Sequence, residues 1–295
     1  MFGLYFGYYL VEKNKISQSQ FEDLIAQLQK SRAKLGFIAV AENLLTVKQA
    51  DEINDIQKRM DKRFGDVAVE KGYLLEEEVT YLLNMQGNAY LLFLQLLSES
   101  GYLTMEEMKG ALEDFQKEFQ FSDSELDSLK TGDIDRIIPV FVDTDHPIYG
   151  EYARLAIRNV VRFINSNIIL KKAHKISSYP FQALASQRLL GNPGLFIGLA
   201  GKDPALLSIA KPFAKEEFQG LDEDAFDSVC EFLNCTNGIY ASKLSQEDIE
   251  LEMAPPEYYT NQCITSEDDL YIVPFLINGE QADIIIAMNN RICIN

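Results

Sequence analysis

The sequence predicts two domains: an all-α helix-turn-helix repeat domain, then a two-layer α+β domain. Three observations carry this reading. Residues 1–120 repeat with a fixed period. Residues 121–145 turn polar and acidic. Residues 146–295 interleave strand-like apolar runs with three helical stretches and close on a hairpin signal.

The period is 29 residues, and its columns are visible by eye. Asn14, Asn43, Gly72 and Gly101 share one, and Gly7, Gly36, Gly65 and Leu94 another. Ile16, Leu45, Leu74 and Leu103 align, as do Leu24, Ile53, Leu82 and Ala111. A fixed period of this size marks stacked supersecondary units, each too small to bury its own apolar face. Within a unit, a short apolar helix such as 37–42 runs up to Asn or Gly, which tolerate the left-handed backbone that ends a helix. Two apolar residues follow, and then a second helix opens. Ser17 with Gln20, Thr46 with Gln49 and Thr104 with Glu107 have the spacing of capping boxes.

The units differ in chemistry. The second carries Lys34-Leu35-Gly36 and is expected to end its second helix at Gln57; the third carries Arg63-Phe64-Gly65 and ends at Gln86. The equivalent positions of the outer units are Tyr5 and Leu28, then Leu92 and Phe115. A doubled basic-and-amide motif fits a pseudo-symmetric ligand with anionic groups; surface variation on a structural repeat is the plainer account. The pair resembles the MshEN-type domain of type II secretion and pilus ATPases, whose tandem motif reads basic-Leu-Gly, apolar pair, Gly, apolar pair, then a helix ending in Gln. That resemblance implies cyclic di-GMP as a ligand. It assigns contacts to Lys34, Leu35, Gly36, Gln57, Arg63, Phe64, Gly65, Gly72 and Gln86. In the first motif Lys34 stands for Arg and Asn43 for Gly; an ammonium lacks the planar fork of a guanidinium.

Residues 121–145 are read as a linker with one extended piece at Ile137 to Val142, broken by Pro139. A helix is expected over 149–165, strand-like sequence over 167–177, and a buried strand over 194–201. Asp203-Pro204 opens another helix. Strands are expected at 249–253, 270–277 and 282–288, the last two joined through Asn278-Gly279.

Between them lies Leu221 to Leu244, read as one long helix. Asp222 suits its N-cap, and Glu223 and Asp224 suit the positive end of the dipole. Phe226, Val229, Cys230 and Leu233 make the apolar stripe. Asp227, Glu231 and Asn234, at i, i+4 and i+7, share one face. A polar helix face usually meets only water. Asn is nevertheless a poor interior helix residue, because its amide competes for local backbone groups.

The residues Asp227, Glu231, Asn234 and Pro255-Pro256 resemble the signature of CheC/CheX/FliY-type chemotaxis phosphatases: Asp or Ser, then E-x-x-N, then Pro some two dozen residues on. The resemblance spans about Tyr149 to Met288. It implies a CheX-like domain that removes phosphate from the aspartyl phosphate of a CheY-like receiver domain. Asn234 would orient water, Glu231 would dock against a receiver lysine, and Asp227 would shape the site. The receiver would supply its own Mg²⁺, with no metal site on this chain. A twofold homodimer is implied as well. The rival reading is a non-enzymatic adaptor or scaffold that binds the receiver through the same face.

Composition narrows the alternatives. With 45 acidic and 27 basic residues the formal charge is −18, which disfavours nucleic-acid polymers and anionic membranes as partners. No run approaches the length of a membrane span, and no leader is read at the start. The four cysteines, Cys230, Cys235, Cys263 and Cys293, form no C-x-x-C pair, so a reducing cytoplasm is expected. There is no P-loop, no G-x-G-x-x-G and no G-x-S-x-G elbow.

Overall fold

The computed structural model describes residues 2–28, 32–60, 62–288 and 292–295. The chain divides into two compact units, Met1–Asp133 and Ile134–Asn295. No helix among the described residues is long and apolar enough to cross a membrane.

The first unit is helix-rich. Its described elements are α1 (Phe2–Glu12), α2 (Gln18–Leu28), α3 (Leu35–Ala41), α4 (Val47–Met60), α5 (Phe64–Glu70), α6 (Glu76–Met85), α7 (Ala89–Glu99), α8 (Met105–Glu118) and α9 (Asp123–Thr131). The sequence columns have distinct physical roles. Asn14, Asn43, Gly72 and Gly101 all sit at positive φ, between 54° and 68°, where they turn the chain between two helices. Leu24, Ile53 and Leu82 are fully buried, and Ile16, Leu45, Leu74 and Leu103 nearly so. Each expected capping box has both of its hydrogen bonds: Ser17 with Gln20, Thr46 with Gln49, and Thr104 with Glu107. Gln57 lies inside α4 and not at its end, because the helix runs on to Met60.

The expected linker is helical. Ser122 and Glu125 form a capping box that opens α9, whose Leu126 and Leu129 are buried in the first unit. Gly132, at φ 70°, closes it. The stretch read as extended is α10 (Ile134–Phe141), which begins the second unit and buries Ile137, Ile138, Val140 and Phe141. Pro139 stands at its sixth position, where it forgoes the bond that an N–H would make to the Asp135 carbonyl.

The second unit continues with α11 (Pro147–Asn159), which ends in a π turn, Val160–Ile164. Then come β1 (Ile168–Leu170), β2 (His174–Gly191), β3 (Leu195–Gly201), α12 (Asp203–Ala214), α13 (Glu223–Ser245), β4 (Leu251–Met253), β5 (Glu257–Ile277), β6 (Glu280–Met288) and β7 (Ile292–Ile294). All pairings are antiparallel, in the order β1-β5-β6-β3-β2-β4, with β7 on β5. β2 also pairs directly with β5, from His174↔Ile272 to Ser186↔Glu257. The pairings β5–β6–β3–β2–β5 thus close on themselves. Asn278 and Gly279, at φ 51° and 84°, make the expected two-residue hairpin. α12 starts at Asp203, with Lys202 as its N-cap and Pro204 in its first turn.

The curl of the sheet creates an inner apolar cluster of Phe181, Leu184, Phe196, Ala200, Ile264, Leu270, Ile272, Ile285, Ala287 and Ile292. The helices cover the outer face. One carboxylate lies at the edge of the inner cluster. Asp283 shares the face of Ile285 and Ala287, because strand side chains alternate, and it is 5% exposed. The Tyr179 hydroxyl donates to its Oδ2, and Gln281 Nε2 donates to its Oδ1 at 3.0 Å.

Burial pushes the Asp283 carboxyl above the usual carboxylate range; its hydrogen bonds to Tyr179 and Gln281, and the charges of His174 and Lys171, pull less strongly the other way. The folded chain therefore holds this proton more tightly than the unfolded chain. Its contribution to stability is greatest below the ordinary carboxylate range and is lost as pH rises through the raised folded value. Asp283→Asn keeps an acceptor for Tyr179 and removes the buried charge. In thermal melts this variant is expected to exceed the wild type at about pH 7, with the difference shrinking towards about pH 4. A difference independent of pH would show that the charge is not its cause.

Candidate functional site

α13 is built to turn one face inward. Asp222 caps it by accepting from the Ala225 N–H at 3.0 Å, as the sequence predicts. Phe226, Val229, Cys230 and Leu233 are buried. So are Ser228, Thr236 and Asn237, and each of these polar groups is satisfied. Ser228 Oγ donates to the Ala210 carbonyl at 3.0 Å, Asn159 Nδ2 donates to Thr236 Oγ1 at 3.1 Å, and the Tyr152 hydroxyl donates to Asn237 Oδ1 at 2.7 Å. The helix is continuous through Asn237-Gly238, and the Asn237 amide is committed sideways to partners in the core.

The outward face carries Asp227 and Glu231, both exposed, with Asn234 half-buried beside them. Asn234 Nδ2 donates to Glu231 Oε2 at 3.3 Å, so the carboxamide and carboxylate present themselves together. Cys235 Sγ lies 3.5 Å from Glu231 Oε1. Burial, and then the hydrogen bond and charge of Glu231, push that thiol up, so it is a poor thiolate at neutral pH. Asp227 and Glu231 also line a shallow cleft of about 500 Å³ with Phe213, Phe218 and Asp224. Exposed Ile239 and Met253 and the ring of Tyr258, stacked on Phe226 at 4.5 Å, give the molecule apolar surface along α13, β4 and β5.

Pro255 and Pro256 lie between β4 and β5. Their neighbour Ala254 is tied in by two hydrogen bonds: its N–H donates to the Arg188 carbonyl at 2.9 Å, and its carbonyl accepts from Gln187 Nε2 at 2.8 Å. Gln187 also donates to Asn234 Oδ1 at 2.9 Å. The helix motif and the proline segment thus meet through a buried glutamine that sequence reasoning missed. In the sequence it stands between Ser186 and Arg188, where an amide gives no sign of burial.

This part of the chain matches a known family. Residues 184–277 match the family model described as chemotaxis phosphatase CheX. Comparison with curated proteins gave no match. Solved structures similar to the chain include a CheC-like superfamily protein from Shewanella, at 18% identity over 51% of this chain and 99% of that one, with TM-score 0.44. A chemotaxis protein CheX from Desulfovibrio desulfuricans is 14% identical over 49% and 100%, with TM-score 0.43. A chain of the CheX–CheY–BeF3–Mg complex from Borrelia burgdorferi is 19% identical over 46% and 94%, with TM-score 0.39. α13, with Asp227, Glu231 and Asn234, lies within the CheX-like segment.

In the first unit, Lys34, Leu35, Gly36, Gln57, Phe64 and Gln86 line one cleft of about 1030 Å³, together with Asp51, Asn54, Asp55 and Lys62. Arg63, Gly65 and Gly72 do not line it. Arg63 is exposed, Gly65 is buried, and Gly72 makes the left-handed turn. Lys34 Nζ is paired with Glu99 at 2.7 Å, and Gln86 Nε2 donates to the Ala33 carbonyl at 3.0 Å.

The glycines of the motif have a packing role. A Cβ on Gly36 would lie 2.9 Å from the Phe64 ring, and one on Gly65 would lie 2.6 Å from Val79 Cγ1. Gly110 in α8 has nothing within 4 Å of such an atom. Gly110→Ala is therefore expected to stabilise by about 1 kcal/mol, the ordinary helix-propensity gain. Gly65→Ala adds an overpacking cost of about 1–3 kcal/mol against a stiff β-branched side chain. Denaturant melts should place the two variants on opposite sides of the wild type; equal gains would mean that the Gly65 contact is soft.

Proposed function

We propose that the second unit is a phosphatase for the aspartyl phosphate of a CheY-like receiver domain, and that the outward face of α13 does the work. The observation that carries this reading is the pairing of Glu231 with Asn234 on that face, inside the segment that matches the CheX model. Such a reaction asks for positioning and electrostatics more than for covalent chemistry from the protein. A receiver holds its own phosphoryl group and Mg²⁺. Asn234 supplies a carboxamide to orient water. Glu231 supplies a charge that docks against a cation of the receiver, and Asp227 shapes the approach. The CheX-type homodimer belongs to the same reading, as does a cytoplasmic location. The adaptor reading uses the same face without chemistry.

Phosphate release from a phosphorylated receiver domain separates the two. The wild-type chain is expected to accelerate release, and Asn234→Ala to abolish the acceleration. That variant should fold with a loss of about 1–3 kcal/mol, because Gln187 loses a buried acceptor. Binding of the receiver without faster release would favour the adaptor.

We read the four helix pairs of the first unit as a helix-turn-helix repeat of MshEN type and propose that its cleft takes cyclic di-GMP. What supports this is the convergence of six motif residues on one cleft. Asp51 and Asp55 share that cleft, so the cations carry the anionic ligand against local repulsion. Calorimetry of the full chain with cyclic di-GMP tests it. Lys34→Ala is expected to weaken binding about tenfold, a charged hydrogen bond being worth roughly 1.5–3 kcal/mol. Absence of heat at high nucleotide concentration would remove this ligand.

A further inference from the structure

A file of buried side chains runs from the core of the second unit to Asn234, and its polarity is fixed at one end. Ala254 precedes Pro255, and a residue before proline is held in extended backbone, so the direction of its carbonyl is constrained. That oxygen lies 2.8 Å from one terminal atom of Gln187. A carbonyl oxygen only accepts, so the Gln187 atom facing it is the NH₂ group. The same NH₂ group lies 2.9 Å from Asn234, and its second hydrogen goes there; the Asn234 atom facing inward is therefore Oδ1. Gln187 Oε1 accepts from Asn237 Nδ2 at 2.7 Å, and Asn237 Oδ1 accepts from the Tyr152 hydroxyl at 2.7 Å. Gln187 is 2% exposed, and Asn237 and Tyr152 are fully buried, so water does not compete along the file.

We infer that Gln187 is a positioning residue that holds the Asn234 amide with Oδ1 turned inward and Nδ2 turned outward, towards Glu231 and whatever docks there. The catalytic half of this inference rests on the phosphatase reading above. In that reaction the water oxygen bonds phosphorus as the bond from phosphorus to the receiver's aspartyl oxygen breaks. The aspartate leaves as a carboxylate, and both water protons leave with the phosphate as H₂PO₄⁻. One Nδ2 hydrogen of Asn234 serves Glu231, and the other points away from the core file, where it can donate to the water oxygen. Oδ1 already accepts from Gln187, so the amide meets the water as a donor first. This also gives the proline segment a part in the motif: it fixes the carbonyl from which the orientation of the whole file follows.

The test uses the full chain and two substitutions at one position. Gln187→Met keeps the volume and removes the link. Gln187→Glu places a group with no hydrogen against the Ala254 carbonyl and Asn234 Oδ1, which drives the Asn234 amide to turn over. The side-chain amide resonance of Asn234, assigned by its loss in Asn234→Ala, reports the orientation directly. It is expected to be ordered on the picosecond-to-nanosecond scale in the wild type, mobile in Gln187→Met and shifted in Gln187→Glu. With a phosphorylated receiver, both variants are expected to lower kcat about 100-fold with KM unchanged, the cost of a misplaced catalytic group. Loss of folded chain would also lower apparent kcat at unchanged KM, so kcat is taken per folded chain, with the folded fraction read from the backbone amide resonances of the same sample. If neither variant folds, Tyr152→Phe breaks the file two links away and is expected to move both readouts in the same direction by less. An Asn234 amide as ordered in Gln187→Met as in the wild type overturns the inference; so does a mobile amide with unchanged kcat. A wild-type chain that releases no phosphate overturns the phosphatase reading instead, and the resonance still decides whether Gln187 orients Asn234.

Discussion

The anchoring of α13 decides what the second unit can display. Its inner stripe, from Phe226 to Leu244, is buried, and a helix with one face so committed has no freedom to rotate about its axis. Apolar packing alone would leave the side chains of the outer face free to change rotamer. The polar contacts through Gln187, Asn237 and Tyr152 reach across the buried side and restrain Asn234 itself. The curled sheet is what brings those partners together: β2 supplies Gln187 at the point where it pairs with β3, and the end of β4 supplies the carbonyl of Ala254.

The first unit rests on a different constraint, close approach between short helices. Its helices are held near one another by positions that tolerate no side chain, Gly7, Gly36 and Gly65. They are joined by turns that need left-handed backbone at Asn14, Asn43, Gly72 and Gly101. Two motif glycines that a ligand-based reading would assign to nucleotide contact are thus accounted for by packing and turn geometry. The polar residues that line the cleft are Lys34, Asp51, Asn54, Asp55, Gln57, Lys62 and Gln86.

Much of this was legible in the sequence wherever a signal was local. The Asp222 cap, the buried stripe of α13, the capping boxes and the Asn278-Gly279 hairpin depend on residues a few positions apart. The full lengths of β2 and β5 were not legible. Their paired segments contain Ser178 and Pro180 on one side and Gln262 and Thr265 on the other, residues that read as loop until the distant partner strand is in place. The polar stretch at 121–145 misled in the opposite direction. Its acidic residues looked like a linker, but Ser122 and Glu125 were a capping box of the kind recognised three times upstream. Glu231 and Asn234 could be picked out from their spacing on the helix. Gln187 could not, because its role arises only when a strand 47 residues away packs beneath Asn234.

The same pairing of β2 with β5 sets the order in which the chain can acquire its structure. His174 pairs with Ile272 and Ser186 with Glu257, so the central strand of the second unit waits for sequence made long after it. The first unit has long-range closures of its own, α1 and α2 against α7 and α1 against α8, but all of its residues precede β2. Non-local strand pairing bears its loop-closure entropy before any contact rewards it, and it folds more slowly than local helix packing. During N-to-C synthesis the first unit has all its residues while β2 still lacks its partner. For that interval β2 has β3 beside it over Ala183 to Leu189, while the edge that β5 will cover stays open to other chains.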